Sequence, residues 1–138
     1  MMYEGTISFV IVDKNGNDKT IKNQLIVVNC ESFGNAEEQL YNFGGSLTGI
    51  DVVAIKRSKI REIVNERQND DEKIFFATII DKFYDADKDE TTETQYVVAL
   101  FATDISNAHR IVNDYMKQGF EDMELVGLKC TKVVDVLK

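Results

Sequence analysis

Proline and tryptophan are absent from this chain of 138 residues, histidine occurs once, and cysteine twice. Without proline, and with only eight glycines, the sequence has little material for a long interdomain linker. Cys30 and Cys130 stand far apart with no C-x-x-C spacing, which excludes a zinc knuckle and a disulfide framework; both are expected to be reduced, buried thiols. The lone histidine, His109, has no Ser or Cys motif to serve as its general base's partner, so it reads as a surface residue of a helix. No apolar run approaches the roughly 18 to 20 residues that a bilayer span takes. The opening "MMYEGTISFV" lacks the charged start and cleavage site of a signal peptide, and a cytoplasmic protein is expected. Glycine-rich phosphate loops and nucleophile elbows are missing too, and with them the usual grounds for expecting an enzyme or a cofactor.

Positive charge is also scarce. Lys and Arg number 16 against 24 Asp and Glu, giving a formal net charge of -8. Such a balance argues against generic attraction to polyanions. Against that background "AIKRSKIREIV" gathers Lys56, Arg57, Lys59 and Arg61 within six positions.

The hydrophobic fraction of 43% suffices for one core. The polar stretch "NERQNDDEK", residues 65–73, divides the chain nearly in half and prompts a search for repetition. A shift of 72 residues lays "YEGTISF" over "FFATIID", pairing Tyr3 with Phe75, Gly5 with Ala77, Thr6 with Thr78 and Ile7 with Ile79. The same shift brings Ser32 onto Asp104 and Asn35-Ala36 onto Asn107-Ala108. A shift of 73 then lays "VAIKRSKIREIV" over "VGLKCTKVVDVL", matching Lys56 with Lys129 and Lys59 with Lys132. Agreement in order, spacing and residue class predicts an internal duplication, with repeat one over 2–65 and repeat two over 73–138 of a single compact domain.

Each repeat reads as a β-β-α-β(-β) unit. Tyr3, Gly5, Ile7, Phe9 and Ile11 alternate with polar residues, as a half-buried strand requires. Asn15-Gly16 supplies the turn of a hairpin whose second strand runs through "TIKNQLIVVNC". Ser32 is an N-cap for a helix turning Phe33, Ala36, Leu40 and Phe43 inward and ending at Gly44-Gly45. Repeat two has Asp104 as the cap, with Ile105, Ala108, Val112 and Tyr115 inward. "IDVVAIK" and "MELVGLKC" are third strands, and the β-branched "SKIREIV" and "TKVVDVL" predict short strands after a bend. The fold class is therefore α+β: two helices and about eight antiparallel strands, related by a pseudo-twofold. Read from Ile50 to Lys117, the chain is also four strands followed by a helix.

"DADKDE" sets Asp85, Asp87 and Asp89 at the spacing of a calcium loop. Glu90 stands where the sharp turn needs glycine, and Tyr96 where a bidentate glutamate belongs, so a solvated hairpin tip is expected and no metal site. A second function class fits the basic run. Lys56, Arg57, Lys59, Arg61, Lys129 and Lys132 form a candidate phosphate stripe, and the competing reading is an edge strand guarded by lysines against pairing. Single-strand binders add aromatic platforms. Phe76, Tyr84 and Tyr96 align with Glu4, Val12 and Gln24, so repeat two has rings where repeat one has none.

"AIKRSKIREIV", "IFFATIID", "NCESFGNAEEQL" and "LKCTKVVDVL" resemble, over nearly the full length, an uncharacterised small domain family of Bacteroidetes bacteria and their crAss-like phages. Its phage setting, the four-strands-plus-helix unit and the pseudo-twofold are in turn similar to Whirly-type single-stranded DNA-binding proteins. That resemblance implies a non-enzymatic protein that binds single-stranded DNA or RNA during phage or bacterial DNA metabolism, with the basic residues on phosphates and the three aromatics on bases. The helix after the second strand of each repeat and the acidic charge depart from the Whirly pattern. The rival expectation is a protein-interaction or assembly module, a homo-oligomer or an acidic inhibitor imitating DNA, with no nucleic-acid binding.

Overall fold

The computed structural model describes residues 1–119 and 122–138. Its elements, in chain order, are β1 (Tyr3–Val12), β2 (Asp18–Val27), α1 (Phe33–Phe43), β3 (Thr48–Arg57), β4 (Ile60–Ile63), β5 (Lys73–Asp85), β6 (Glu90–Ala102), α2 (Ile105–Lys117), β7 (Asp122–Cys130) and β8 (Val133–Leu137). The fold is α+β, with two helices and two four-stranded sheets among the described residues. Two compact units share the chain: Met1–Ser58 with Lys132–Lys138, and Lys59–Thr131.

In the first unit the sheet order is β3-β1-β2-β8. Tyr3, Gly5, Ile7 and Phe9 alternate inward along β1 as expected, while Ile11 lies past the helix and is exposed. The turn is built by Asp13, whose carboxylate accepts from the amides of Asn15 and Asn17, each at 2.9 Å, with Gly16 in the left-handed region at φ 78°. Ser32 caps α1 by accepting from the Asn35 amide at 3.1 Å. Ala36 and Leu40 are the buried residues of α1. Phe33 and Phe43, expected inside, are exposed at the two ends of α1, although the Phe33 ring still packs against that of buried Tyr3, centroids 4.8 Å apart.

The second unit has the order β4-β6-β5-β7. Phe75, Ala77 and Ile79 of β5, with Val98, Leu100 and Ala102 of β6, meet Ala108 and Val112 of α2 in its core. Asp104 caps that helix through the Asn107 amide at 2.8 Å. Ile105, expected inward, is exposed at the helix start, as Phe33 is in α1. Tyr115 is half-buried.

Pairing corrects two expectations. β8 runs parallel to β2 and β4 parallel to β6, so the sheets are antiparallel-rich and not wholly antiparallel. The four-strand unit expected between Ile50 and Lys117 does not form, because the chain bends between Arg57 and Ile60 and β3 belongs to a different sheet from β4, β5 and β6. β8, from the far end of the sequence, thus completes the first sheet, and β4, the segment just before β5, completes the second.

The registers of the two sheets correspond strand by strand. Gly5 faces Ile55 and Ala77 faces Leu128; Gln24 faces Val133 and Val97 faces Ile60. Thr6 and Thr78 lie 72 apart, yet their partners Gln24 and Val97 lie 73 apart. The extra residue is at the second hairpin tip. Five residues separate the Val12–Asp18 pair and six separate Tyr84–Thr91. A one-residue slip moves a strand's side chains to the other face. Tyr96 therefore corresponds to Asn23, not to Gln24 as the constant shift implied.

Candidate nucleic-acid interface

Each sheet has one face under its helix; on the other face the centre is buried, at Ile26 in the first sheet and at Ile74, Ala99 and Phe101 in the second, and the exposed part lies toward the edge strands β3 and β7. On the helix-free face of the second unit, Phe76 of β5 stands directly opposite Lys129 of the edge strand β7. Cross-strand neighbours of this kind have Cβ atoms about 5 Å apart, within reach of a lysine stem and a ring. Phe76 is half-buried and Lys129 exposed. At the matching position of the first unit, Glu4 of β1 faces Lys56 of the edge strand β3. The two lysines thus hold the same place in the two sheets, and so do the threonines next along, Thr6 opposite Ala54 and Thr78 opposite Gly127.

Around Lys56 the surface is concave. Glu4, Thr6, Gln24, Ala54, Lys56 and Val133 line a hollow of about 280 Å³. It offers a carboxylate, a hydroxyl, an amide and an ammonium within one nucleobase-sized space. Glu4, Thr6 and Gln24 were missing from the sequence-based site; the threonine match within "YEGTISF" and "FFATIID" was the available signal.

The remaining candidates are dispersed. Arg57 ends β3, with Nη2 at 2.9 Å from Met1 Sδ. Lys59 and Lys132 are exposed residues of the connections before β4 and β8. Arg61 is on β4, the edge opposite β7, so within the second unit Arg61 and Lys129 are three strand spacings apart, roughly 14 Å. One continuous stripe is not formed within either sheet.

Tyr96 lies on the helix side, packed against the core cluster of its unit. The Arg61 guanidinium sits over its ring, 4.3 Å from the centroid, a cation–π contact worth about 0.5–1 kcal/mol at an exposed site. Beside it the Tyr115 hydroxyl donates to Glu62. Burial, then the hydrogen bonds with Glu62 and Tyr96, push the Tyr115 phenol well above its ordinary range. Tyr84 is exposed on the β5–β6 hairpin, and its hydroxyl donates to Asp89 at 2.5 Å, which raises its pKa. Nearby, Lys82 forms an ion pair with Glu124 at 3.2 Å and is likewise raised, first by that hydrogen bond.

Asp85 accepts from the Asp87 amide at 3.0 Å within the same tip. Among the described residues no group of three or more His, Cys, Asp or Glu side chains is placed to hold a metal ion. His109 is exposed, its Nδ1 at 3.2 Å from the Asn113 amide nitrogen. Cys30 is buried, but Cys130 is exposed, a correction that follows from its place at the end of an edge strand. No helix among the described residues is long and apolar enough to cross a membrane.

Comparison with known proteins gives a family and no function. The family described as Domain of unknown function (DUF4494) matches residues 1–138. No curated protein matches. No solved structure matches either.

Proposed function

We propose that this chain, which belongs to the DUF4494 family, is a non-enzymatic single-stranded nucleic-acid-binding protein that uses the helix-free faces of its sheets. The observation that carries the reading is the recurrence of Lys56 and Lys129 at one register position, each on an edge strand, with Phe76 directly opposite the second. A lysine beside a half-exposed ring can hold a phosphate while the adjoining base stacks. The hollow at Lys56 suits a base edge rather than a phosphate, because Glu4 is anionic and would repel a second negative group. The net charge of -8 does not oppose this, since screening at physiological salt confines charge effects to about 8 Å.

Phe76, Lys129 and Lys56 are the principal contacts in this reading. Arg57, Lys59 and Lys132 are peripheral phosphate contacts, Arg61 is turned to the helix side over Tyr96, and Tyr84 is an accessory ring on its hairpin. Tyr96 lies on the helix side of its sheet with Arg61 over its ring, so it has no part on the face this reading uses. The matched registers support a duplicated unit as the origin of the two faces. The resemblance to the family of Bacteroidetes and crAss-like phages extends the reading to DNA metabolism in a bacterial cytoplasm.

Fluorescence anisotropy of a labelled oligothymidine of about 20 nucleotides, beside a duplex of equal length at two salt concentrations, tests this. Preference for the single strand, weakened by salt and by K56S/K129S, is expected. Replacing Phe76 by Leu keeps the apolar packing and removes the π-face, and should cost about 1–3 kcal/mol of binding. Absence of binding by wild type, or binding indifferent to these substitutions, overturns the proposal.

A further inference from the structure

Exposed apolar side chains recur at corresponding places in the two units. Phe33, the first residue of α1, is 53% exposed, and Ile105, the first of α2, is 52% exposed. Val53 of β3 and Val126 of β7 are both 46% exposed. The valines project for the same reason: each sits at a β-bulge, where Thr6 and Ile7 pair with Ala54 and Val52, and Thr78 and Ile79 pair with Gly127 and Leu125, leaving Val53 and Val126 without a partner. A bulge blunts an edge against strand addition while aiming one side chain outward. These positions are thus built for side-chain contact rather than for ladder extension.

In the first unit the result is a groove of about 310 Å³ between the start of α1 and β3, lined by Phe33, Glu37, Val52, Val53 and Ile55. The charges distinguish the two surfaces. Five and six positions after the cap Ser32, α1 carries exposed Glu37 and Glu38; five and six after the cap Asp104, α2 carries exposed His109 and Arg110. The strands do not cancel the contrast. Asp51 and Glu124 occupy matching positions on β3 and β7, and Glu124 is held by Lys82 at 3.2 Å, while Asp51 accepts from the Tyr41 hydroxyl at 3.3 Å. At these matched helix positions one surface therefore carries two carboxylates and the other a guanidinium and an imidazole, the second helix's own carboxylates being its cap Asp104 and Asp114.

We infer that the α1–β3 groove of one copy docks on the α2–β7 surface of a second copy, Phe33 and Val53 meeting Ile105 and Val126 while Glu37 and Glu38 meet His109 and Arg110. Such a contact is heterologous: each copy offers one surface of each kind, so association proceeds head to tail into rings or filaments rather than stopping at a twofold dimer. Complementary charge sets the pairing and suppresses like-to-like contacts. A chain that forms arrays in this way could coat an extended polymer, but the inference stands apart from nucleic-acid binding and needs no ligand.

Sedimentation velocity of the full-length protein across the micromolar range, without nucleic acid, tests it. Wild type should associate with rising concentration. Glu37→Lys with Glu38→Lys should be monomeric, and so should His109→Glu with Arg110→Glu, each with an unchanged thermal transition because all four residues are exposed. Mixing these two variants, or combining all four substitutions in one chain, should restore association. A wild type that stays monomeric, half-reversed chains that assemble as wild type does, or failure of both restorations overturns the inference; a monomeric wild type would leave the groove to a different protein with basic and apolar side chains.

Discussion

A methyl group on Gly5 would stand 2.4 Å from Leu40 Cδ1, so α1 approaches β1 more closely than any side chain at that position permits. Leu40 is fully buried, so its side chain would have to shift within the core to admit that methyl group. The second unit solves the same contact differently, with Ala77 on the strand and Val112 on the helix, both fully buried. Gly5→Ala should destabilise the protein by about 1–3 kcal/mol, the usual cost of overpacking a core. Adding Leu40→Val reproduces the Ala–Val pair of the other unit and should recover part of the loss. Urea unfolding of the three variants reads the coupling; equal losses for the single and double variants would show that the helix position is not set by this contact.

Asn65 continues the short parallel pairing of β4 with β6 after the backbone has left it. Its side-chain Nδ2 donates to Phe101 O at 2.9 Å, and its Oδ1 accepts from Phe101 N at 2.7 Å. One amide thus satisfies both main-chain groups of a buried residue. Asn65→Ala should cost about 2–3 kcal/mol, two hydrogen bonds of about 1 kcal/mol each plus the desolvation of the groups left bare. Asn65→Asp keeps the acceptor and loses the donor, placing a carboxylate against a carbonyl. It should be at least as damaging at neutral pH and should improve on acidification, which a stability profile between pH 3 and 7 measures.

The strands, the helix caps and the bends were legible in the sequence because they follow from local chemistry: alternation in Tyr3 to Phe9, Asn-Gly at the first turn, and Ser32 and Asp104 before their helices. The pairing of β4 and β8 was not. Four or five residues rich in β-branched side chains specify a strand, but whether the strand joins the preceding sheet or a distant one depends on where the chain turns, and periodicity carries no signal for that. Lys56 and Lys129, aligned by a shift of 73, face Glu4 and Phe76, which are aligned by a shift of 72. Tyr96 aligns with Gln24 under a constant shift but corresponds in register to Asn23, for a definable reason. One additional hairpin residue between Tyr84 and Thr91 changes the shift from 72 to 73, and in a strand a single position exchanges inside for outside.

Tyr115 should make the protein lose stability in alkali. Burial, with the hydrogen bonds to Glu62 and Tyr96, raises its folded-state pKa above the value near 10 of an unfolded tyrosine. The folded state therefore binds the phenolic proton more tightly. Its contribution is fully present below about pH 10 and declines as the pH rises toward the folded value. Difference absorbance at 295 nm should show one tyrosine that ionises only with unfolding, and Tyr115→Phe should abolish that component. A Tyr115 that ionises with exposed tyrosines while the fold persists would contradict the packing of α2 against Glu62.

The two thiols should separate cleanly by reactivity. Only the thiolate attacks a disulfide reagent, so both access and pKa set the rate. Cys30 is 2% exposed and burial raises its pKa, whereas Cys130 is exposed at the end of β7. In the native protein an aromatic disulfide reagent should titrate one thiol rapidly and the second only after urea is added. Cys130→Ser should remove the rapid phase and leave the slow one intact. Cys30→Ser replaces a buried sulfur with a hydroxyl near the Val28 carbonyl, 3.7 Å from the present sulfur, and should lower stability without changing the rapid phase. If both thiols react at one rate in native protein, the first unit opens around Cys30 on the timescale of the reagent, and the rate in dilute urea would then measure the free energy of that opening.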